Sequence, residues 1–247
     1  MKRVLVMVIV VLSVLSINVL AAGDIEVVGG VSFINLEIST SITATESDYE
    51  YDLSTSIKGN IGNELYGGIR YVLDNGLGFG AGYSSLSTES NREEEVKIFS
   101  PSYKETYESK DIEHIKLEGP YVEAIYKVTE MISIRGAVLF QNLIISVEEL
   151  QNYYEETDTG YIDQYEYSEE YDYAKGEGLG YQIGAEINYP LSEDFLITGK
   201  AAYVLGSYDI THIYNSNEEE LNEIPDNGKM TVEHSGFSLG FGINYSF

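Results

Sequence analysis

The C-terminal stretch Ser235-Gly-Phe-Ser-Leu-Gly-Phe-Gly-Ile-Asn-Tyr-Ser-Phe247 decides the reading of the fold. Phe237, Leu239, Phe241, Ile243, Tyr245 and Phe247 take every second place, and Gly236, Ser238, Gly240, Gly242, Asn244 and Ser246 fill the places between. Successive side chains of a strand point to opposite faces. One face is therefore large and apolar, the other small and polar. The length of the pattern and its terminal aromatic set it apart from an ordinary sandwich strand, whose apolar face turns to a soluble core.

The same alternation recurs upstream. Leu179, Tyr181, Ile183, Ala185, Ile187 and Tyr189 oppose Gly178, Gly180, Gln182, Gly184, Glu186 and Asn188. Eight such segments follow in order: about 25–39, 64–73, 77–87, 112–128, 132–148, 174–189, 195–212 and 229–247. Their connections alternate strictly between long and short. The short ones centre on Asn75, Glu130 and Ser192, and Asp74-Asn75-Gly76 is the strongest hairpin signal among them. The long ones centre near Asp52, Ser100, Gly160 and Asn217. Long loops at one end and short turns at the other, with segments of about 10 alternating residues, suit strands crossing a bilayer at a tilt. The fold class expected is all-β: an eight-stranded antiparallel up-and-down transmembrane barrel with four long extracellular loops and three short periplasmic turns. A soluble sandwich would alternate too, but its loops need not sort by length to two ends.

Two local irregularities are expected. In the first segment Ile25, Val27, Val31 and Phe33 share one face, whereas Ile34, Leu36 and Ile38 share the other. The switch implies either a bulge near Phe33 or Ile34 or a strand leaving the membrane there. Pro120 lies inside the fourth segment and cannot donate to the ladder, which predicts a bulge or bend.

The N-terminus reads as a secretory signal peptide, residues 1–22: Met-Lys-Arg, an apolar run from Val4 to Leu20, then Ala21, Ala22 and Gly23, with cleavage after Ala21 or Ala22. The barrel then occupies 23–247. There is no cysteine, which excludes a lipid-anchoring thiol and disulfides alike. Lys plus Arg number 14 against 41 Asp plus Glu. Without Lys2 and Arg3 the balance is 12 against 41, near −29. Such charge argues against nucleic acid and against anionic headgroups as partners.

Strand phase assigns the interior. Arg70, Glu123, Lys127, Arg135, Glu186 and Lys200 fall on the inward face, in the half nearer the short turns. Eight strands enclose just enough room for side chains, so these charges are expected to pair as a plug, with a narrow gated channel as the alternative. Inward glycines (Gly78, Gly80, Gly82, Gly178, Gly180, Gly184, Gly236, Gly240 and Gly242) either leave space for water or serve the curvature of a small barrel. Tyr71, Tyr126, Tyr189 and Tyr245 near the short turns, with Tyr83, Tyr181 and Tyr203 higher, form an expected aromatic girdle. The stretch from Glu148 to Tyr173 mixes tyrosines with carboxylates. Glu155, Glu156, Asp158 and Asp163 make it a candidate divalent-cation segment, although no calcium-loop spacing is present and a solvated acidic loop explains the same residues. Part of it could simply extend the fifth and sixth strands. His114, His212 and His234 lie near the long-loop end, but His234 and Ser235 are strand neighbours that point to opposite faces, which argues against a shared catalytic site.

In this pattern of strands the chain from about Ile25 to Phe247 resembles the small bacterial outer-membrane barrels of the OmpA-like, opacity-protein and OmpW-like type. The resemblance rests on architecture and on the terminal strand. It implies that Phe241, Ile243, Tyr245 and Phe247 act as the signal read by the barrel assembly machinery. It also implies outer-membrane lipid as the surrounding partner. The functional expectation is a non-enzymatic structural or surface-interaction protein, monomeric, without a cofactor. A narrow cation-preferring porin or small-solute channel is the alternative, and a lipid-modifying barrel enzyme the third reading. Its histidines depart from the lipid-deacylase pattern, in which His and Ser stand two apart on one strand.

Overall fold

A computed structural model describes residues 23–46, 49–100, 103–157, 162–214 and 229–247; the segment 1–22, expected to be a signal peptide, lies outside them. Eight strands follow one another: β1 (Gly23–Glu46), β2 (Tyr49–Leu73), β3 (Leu77–Ser100), β4 (Tyr103–Lys127), β5 (Ile132–Thr157), β6 (Ile162–Pro190), β7 (Phe195–Ile213) and β8 (Lys229–Ser246). Each pairs antiparallel with the next, and β8 pairs with β1, so the sheet closes. Closure matters because an open edge in hydrocarbon would leave backbone groups without partners. The last residues help seal it: Phe247 N donates to Ile25 O at 2.9 Å, and Ser246 N to Asp194 O at 2.9 Å.

Burial follows the sequence phase but is inside-out relative to a soluble protein. Phe237, Leu239 and Phe241 are 71%, 65% and 63% exposed, whereas Arg70 and Glu186 are 2% and 1% exposed. The exposed apolar band recurs on all eight strands, from Val27 and Ile69 through Ile134 and Ile183 to Ile243.

The three short turns are tight. At the first, Gly76 N donates to Leu73 O, Asn75 Oδ1 accepts from Leu77 N at 3.0 Å, and Gly76 has φ 84°. At the second, Thr129 Oγ1 accepts from Ile132 N at 3.0 Å. Gly76 must stay glycine for two reasons. Its φ is left-handed, and a Cβ there would stand 3.0 Å from Lys127 O. Gly76→Ala is expected to lose about 1–2 kcal/mol. The urea midpoint of the compact, unboiled gel band would register that loss, and an unchanged midpoint would refute it.

The switch in β1 has its answer. Register against both β2 and β8 runs unbroken through Phe33 and Ile34, and the irregularity comes only at Leu36/Glu37. No bulge flips the side chains. The strand instead leaves the lipid-facing belt, so its outward face turns from apolar to polar while its inward face turns from polar to apolar. Of the bulge or bend expected at Pro120, the register shows no bulge. The β4–β5 ladder skips Gly119 and Pro120 but resumes in the same register, Glu118↔Asn142 and Tyr121↔Leu139. Missing one donor interrupts the ladder there without shifting it. Bulges occur instead at Leu36/Glu37, Ile145/Ser146 and Lys175/Gly176.

The long connections also need redrawing. Three of them are largely paired strand: β1 and β2 pair to Glu46↔Tyr49, β3 and β4 to Ser100↔Tyr103, and β5 and β6 to Glu156↔Ile162. Acidity argued for loop, but tyrosine and threonine favour strand, and cross-strand neighbours fall into register, such as Tyr153 with both Tyr107 and Tyr165. The fourth, between β7 and β8, lies mostly outside the described residues.

Candidate functional site: a two-layer filled lumen beneath a protruding sheet

The inward residues nearest the short turns form an ion-paired layer. Arg70 on β2 faces Glu186 on β6 two-pronged, NH1 to Oε2 and NH2 to Oε1 at 2.8 Å each, while its Nε donates to Glu123 on β4. Arg135 on β5 closes the square, NH2 to Glu123 Oε2 at 2.7 Å and Nε 3.5 Å from Glu186 Oε1. Lys200 and Lys127 do not join this square. Lys200 stands 3.4 Å from Glu64 and 4.4 Å over the Tyr66 ring, and Lys127 bonds Glu26 at 2.8 Å. Thr198 donates to Asn188 Oδ1 at 2.8 Å, and Asn188 donates on to Ser133. Below the apolar layer described next, the buried and half-buried inward charges among the described residues are four cations (Arg70, Lys127, Arg135, Lys200) and four anions (Glu26, Glu64, Glu123, Glu186). The balance suits the setting, because an uncompensated buried charge is costly.

Glu26 and Glu64 are the partners that the sequence reading left off its charge list. Glu64 shares the inward phase of Arg70 on β2. Glu26 shares the phase of the buried Val28 and Ser32, so extending the alternation by one step finds it.

At several inward glycines a neighbouring side chain fills the space that a Cβ would take. A Cβ on Gly80 would stand 2.9 Å from both Arg70 Cγ and Glu123 Oε1, and Cβ atoms on Gly68 and Gly82 would collide with Tyr121. These glycines let large side chains cross a narrow interior.

Above this level the lumen turns apolar. Ile34, Leu36, Ile38, Leu86, Ile115, Leu117, Leu143, Ile145, Val204, Ile210, Met230 and Val232 form one cluster around Tyr208. The Tyr208 hydroxyl donates to Gln141 Oε1 at 2.7 Å, and its ring stacks on His234, centroids 5.5 Å apart. Sequence reading missed this layer as a unit. Its signal was the β1 switch, repeated in Leu86, Leu117, Leu143 and Val232.

The wall outside this layer is polar. His114 lies between two carboxylates, Nδ1 3.5 Å from Glu89 and Nε2 3.8 Å from Glu148. Ser146 donates to Asp172 at 2.9 Å, and Lys175 bonds Asp172 at 2.7 Å. Those bonds, Lys175 foremost, hold the Asp172 carboxyl below its ordinary value. Lys175 also lies 5.0 Å over the Tyr214 ring, which stacks loosely on His212. The three histidines therefore occupy three separate settings, and His234 is buried while Ser235 faces out. Of the candidate cation segment, Glu155 is in register with Asp163 and Glu156 with Ile162, on paired strand rather than loop; Asp158 lies outside the described residues. Among the described residues no group of three acidic or histidine side chains is arranged to hold a metal. Phe241, Ile243, Tyr245 and Phe247 all lie on the outward face, with the Tyr245 ring 5.5 Å from Phe195 and 4.7 Å from Phe247.

An apolar belt outside, a paired polar layer inside and complete strand closure define a transmembrane β-barrel of eight strands, of the outer-membrane type. No protein-family model matches the chain, and no curated protein matches it in sequence. Among solved structures it is similar to Ail, the attachment invasion locus protein of Yersinia pestis, at 13% identity and a TM-score of 0.29, over 91% of this chain and 100% of that one. It is similar also to the outer membrane protease OmpT from Escherichia coli, at 11% identity and 0.35 over 91% and 97%, and to the outer membrane protein OprG from Pseudomonas aeruginosa, at 12% and 0.32 over 92% and 97%.

Proposed function

We propose that the protein is a non-enzymatic surface barrel: a closed anchor that carries a β-sheet out of the membrane. The observation that supports this reading is the pairing pattern beyond the lipid-facing belt. β2 and β3 part after Asn63↔Ser87, while β3–β4–β5–β6 stay paired to their ends. A four-stranded sheet thus projects from the barrel. Among the described residues, 89–100 of β3 pair only with β4 and 162–172 of β6 only with β5, which leaves both long edges of the sheet with backbone donors and acceptors open. An open edge is a template for strand addition. The sequence of this sheet is acidic, with Glu93, Glu94 and Glu95 on the β3 edge strand, which favours cationic partners.

The two-layer lumen supports the same reading over a channel, since ions would have to break a charge-balanced layer and then cross an apolar one. Purified barrel in planar bilayers is expected to be silent. Reproducible cation-selective steps, altered by Arg135→Ala, would overturn the closed-anchor reading. Shortening the 91–110 hairpin should weaken attachment of cells to surfaces while leaving the gel-mobility shift of the folded barrel intact. Unchanged attachment would count against the surface role.

A further inference from the structure

On the lipid-facing wall, one region lacks the large side chains found around it. Pairing places Phe79 opposite Ala124, Ala124 opposite Gly136, and Ala81 opposite Val122. These small outward residues on β3, β4 and β5 form the floor of an almost wholly apolar trough of about 750 Å³. Phe79 stands on one side, and Tyr181 and Ile183 on the other. The trough is continuous with the belt that meets hydrocarbon, so what lies against it is lipid unless a protein displaces it.

Its depth and its surroundings select the lipid. Phe79 is the third residue of β3, and Ala124 stands three residues before the end of β4. At about 3.3 Å per residue along a tilted strand, the floor lies roughly 5–10 Å from the short-turn end, within the periplasmic half of a hydrocarbon core about 30 Å thick. The three turns carry Asp74, Glu130, Glu193 and Asp194 and no lysine or arginine. Headgroups there meet negative charge, which favours an ammonium and disfavours a bare phosphodiester.

We infer that the β3–β5 trough seats one acyl chain of an ammonium-bearing, zwitterionic phospholipid from the periplasmic leaflet. Small residues permit the close, shape-matched contact that gives association inside a membrane its energy. This seat does not depend on the surface role proposed above.

The experiment is native mass spectrometry of the whole barrel released from vesicles of phosphatidylethanolamine and phosphatidylglycerol with identical chains. Wild type is expected to retain one phosphatidylethanolamine. Ala124→Phe, which fills the trough, should lower that fraction severalfold, while Gly199→Phe, on the outward face of β7 between Ile187 and Phe241, outside the trough and with open space for a side chain, should not. Gly136→Leu provides a second filling variant. A Cβ at Gly136 would meet only Gln182 O, at 3.9 Å, so the site has room for it. The heat-dependent mobility shift verifies that each variant is folded. Equal lipid retention in wild type and both filled variants would overturn the inference, as would preferential retention of phosphatidylglycerol. A dimer that disappears on filling would make the trough a protein contact and overturn it too.

Discussion

Replacing Arg70 by alanine is expected to cost about 3–5 kcal/mol of stability. The guanidinium binds Glu186 with two parallel bonds and Glu123 on its other side, and all three groups are nearly inaccessible. Its removal strands two buried carboxylates with only Arg135 between them. The loss follows from the imbalance rather than from the worth of the pairs themselves, so restoring balance should recover much of it. Arg70→Met with Glu186→Gln keeps the Arg135–Glu123 pair and returns the layer to neutrality. Urea midpoints of the compact gel band, read for wild type, both single variants and the double variant, measure the coupling. Strictly additive losses would show that charge pairing is not what holds this layer.

The second large effect is expected in the layer above. Tyr208→Ala removes a fully buried ring from the apolar cluster and should cost about 3–5 kcal/mol. Tyr208→Phe keeps the ring but leaves Gln141 Oε1 without the hydroxyl 2.7 Å away, a loss of about 1–3 kcal/mol. The same urea series separates the two. Equal losses would mean that the ring's packing contributes little and that the hydroxyl alone matters. Conductance should stay absent in Tyr208→Ala, because the ion-paired layer beneath remains closed.

Strand number, the order of long and short connections and the facing of almost every side chain were legible in the sequence. They depend on period-two alternation and on turn chemistry, both of which act over a few residues. Arg70, Glu123, Arg135 and Glu186 could be assigned inward one strand at a time. Which of them meet could not, because Arg70 and Glu186 are 116 positions apart and only the closed barrel brings β2 across from β6. The same distance hid the roles of Glu26 with Lys127 and Glu64 with Lys200.

The acidic segments show where local reasoning stopped. Charge density argued for loops, yet Glu93 pairs with Lys110 and Glu155 with Asp163 in continuous ladders. A strand already held by a barrel extends more readily than an isolated one, since nucleation is complete and each added residue gains a partner. The glycines are a further case. Sequence allowed either water or curvature at Gly80 and Gly82, and the structure fills those places with Arg70, Glu123 and Tyr121.

The sequence by itself determined the alternation, the eight strands, their facing and the sorting of turns from long connections, because these follow from the pleat and from short-range sterics. The tertiary structure alone decided which charges pair, that the β1 switch is a change of surroundings without a bulge, and that an apolar layer caps a polar one. Those outcomes depend on curvature, on closure and on the level at which the wall leaves the lipid, which are properties of the whole barrel and not of any one strand.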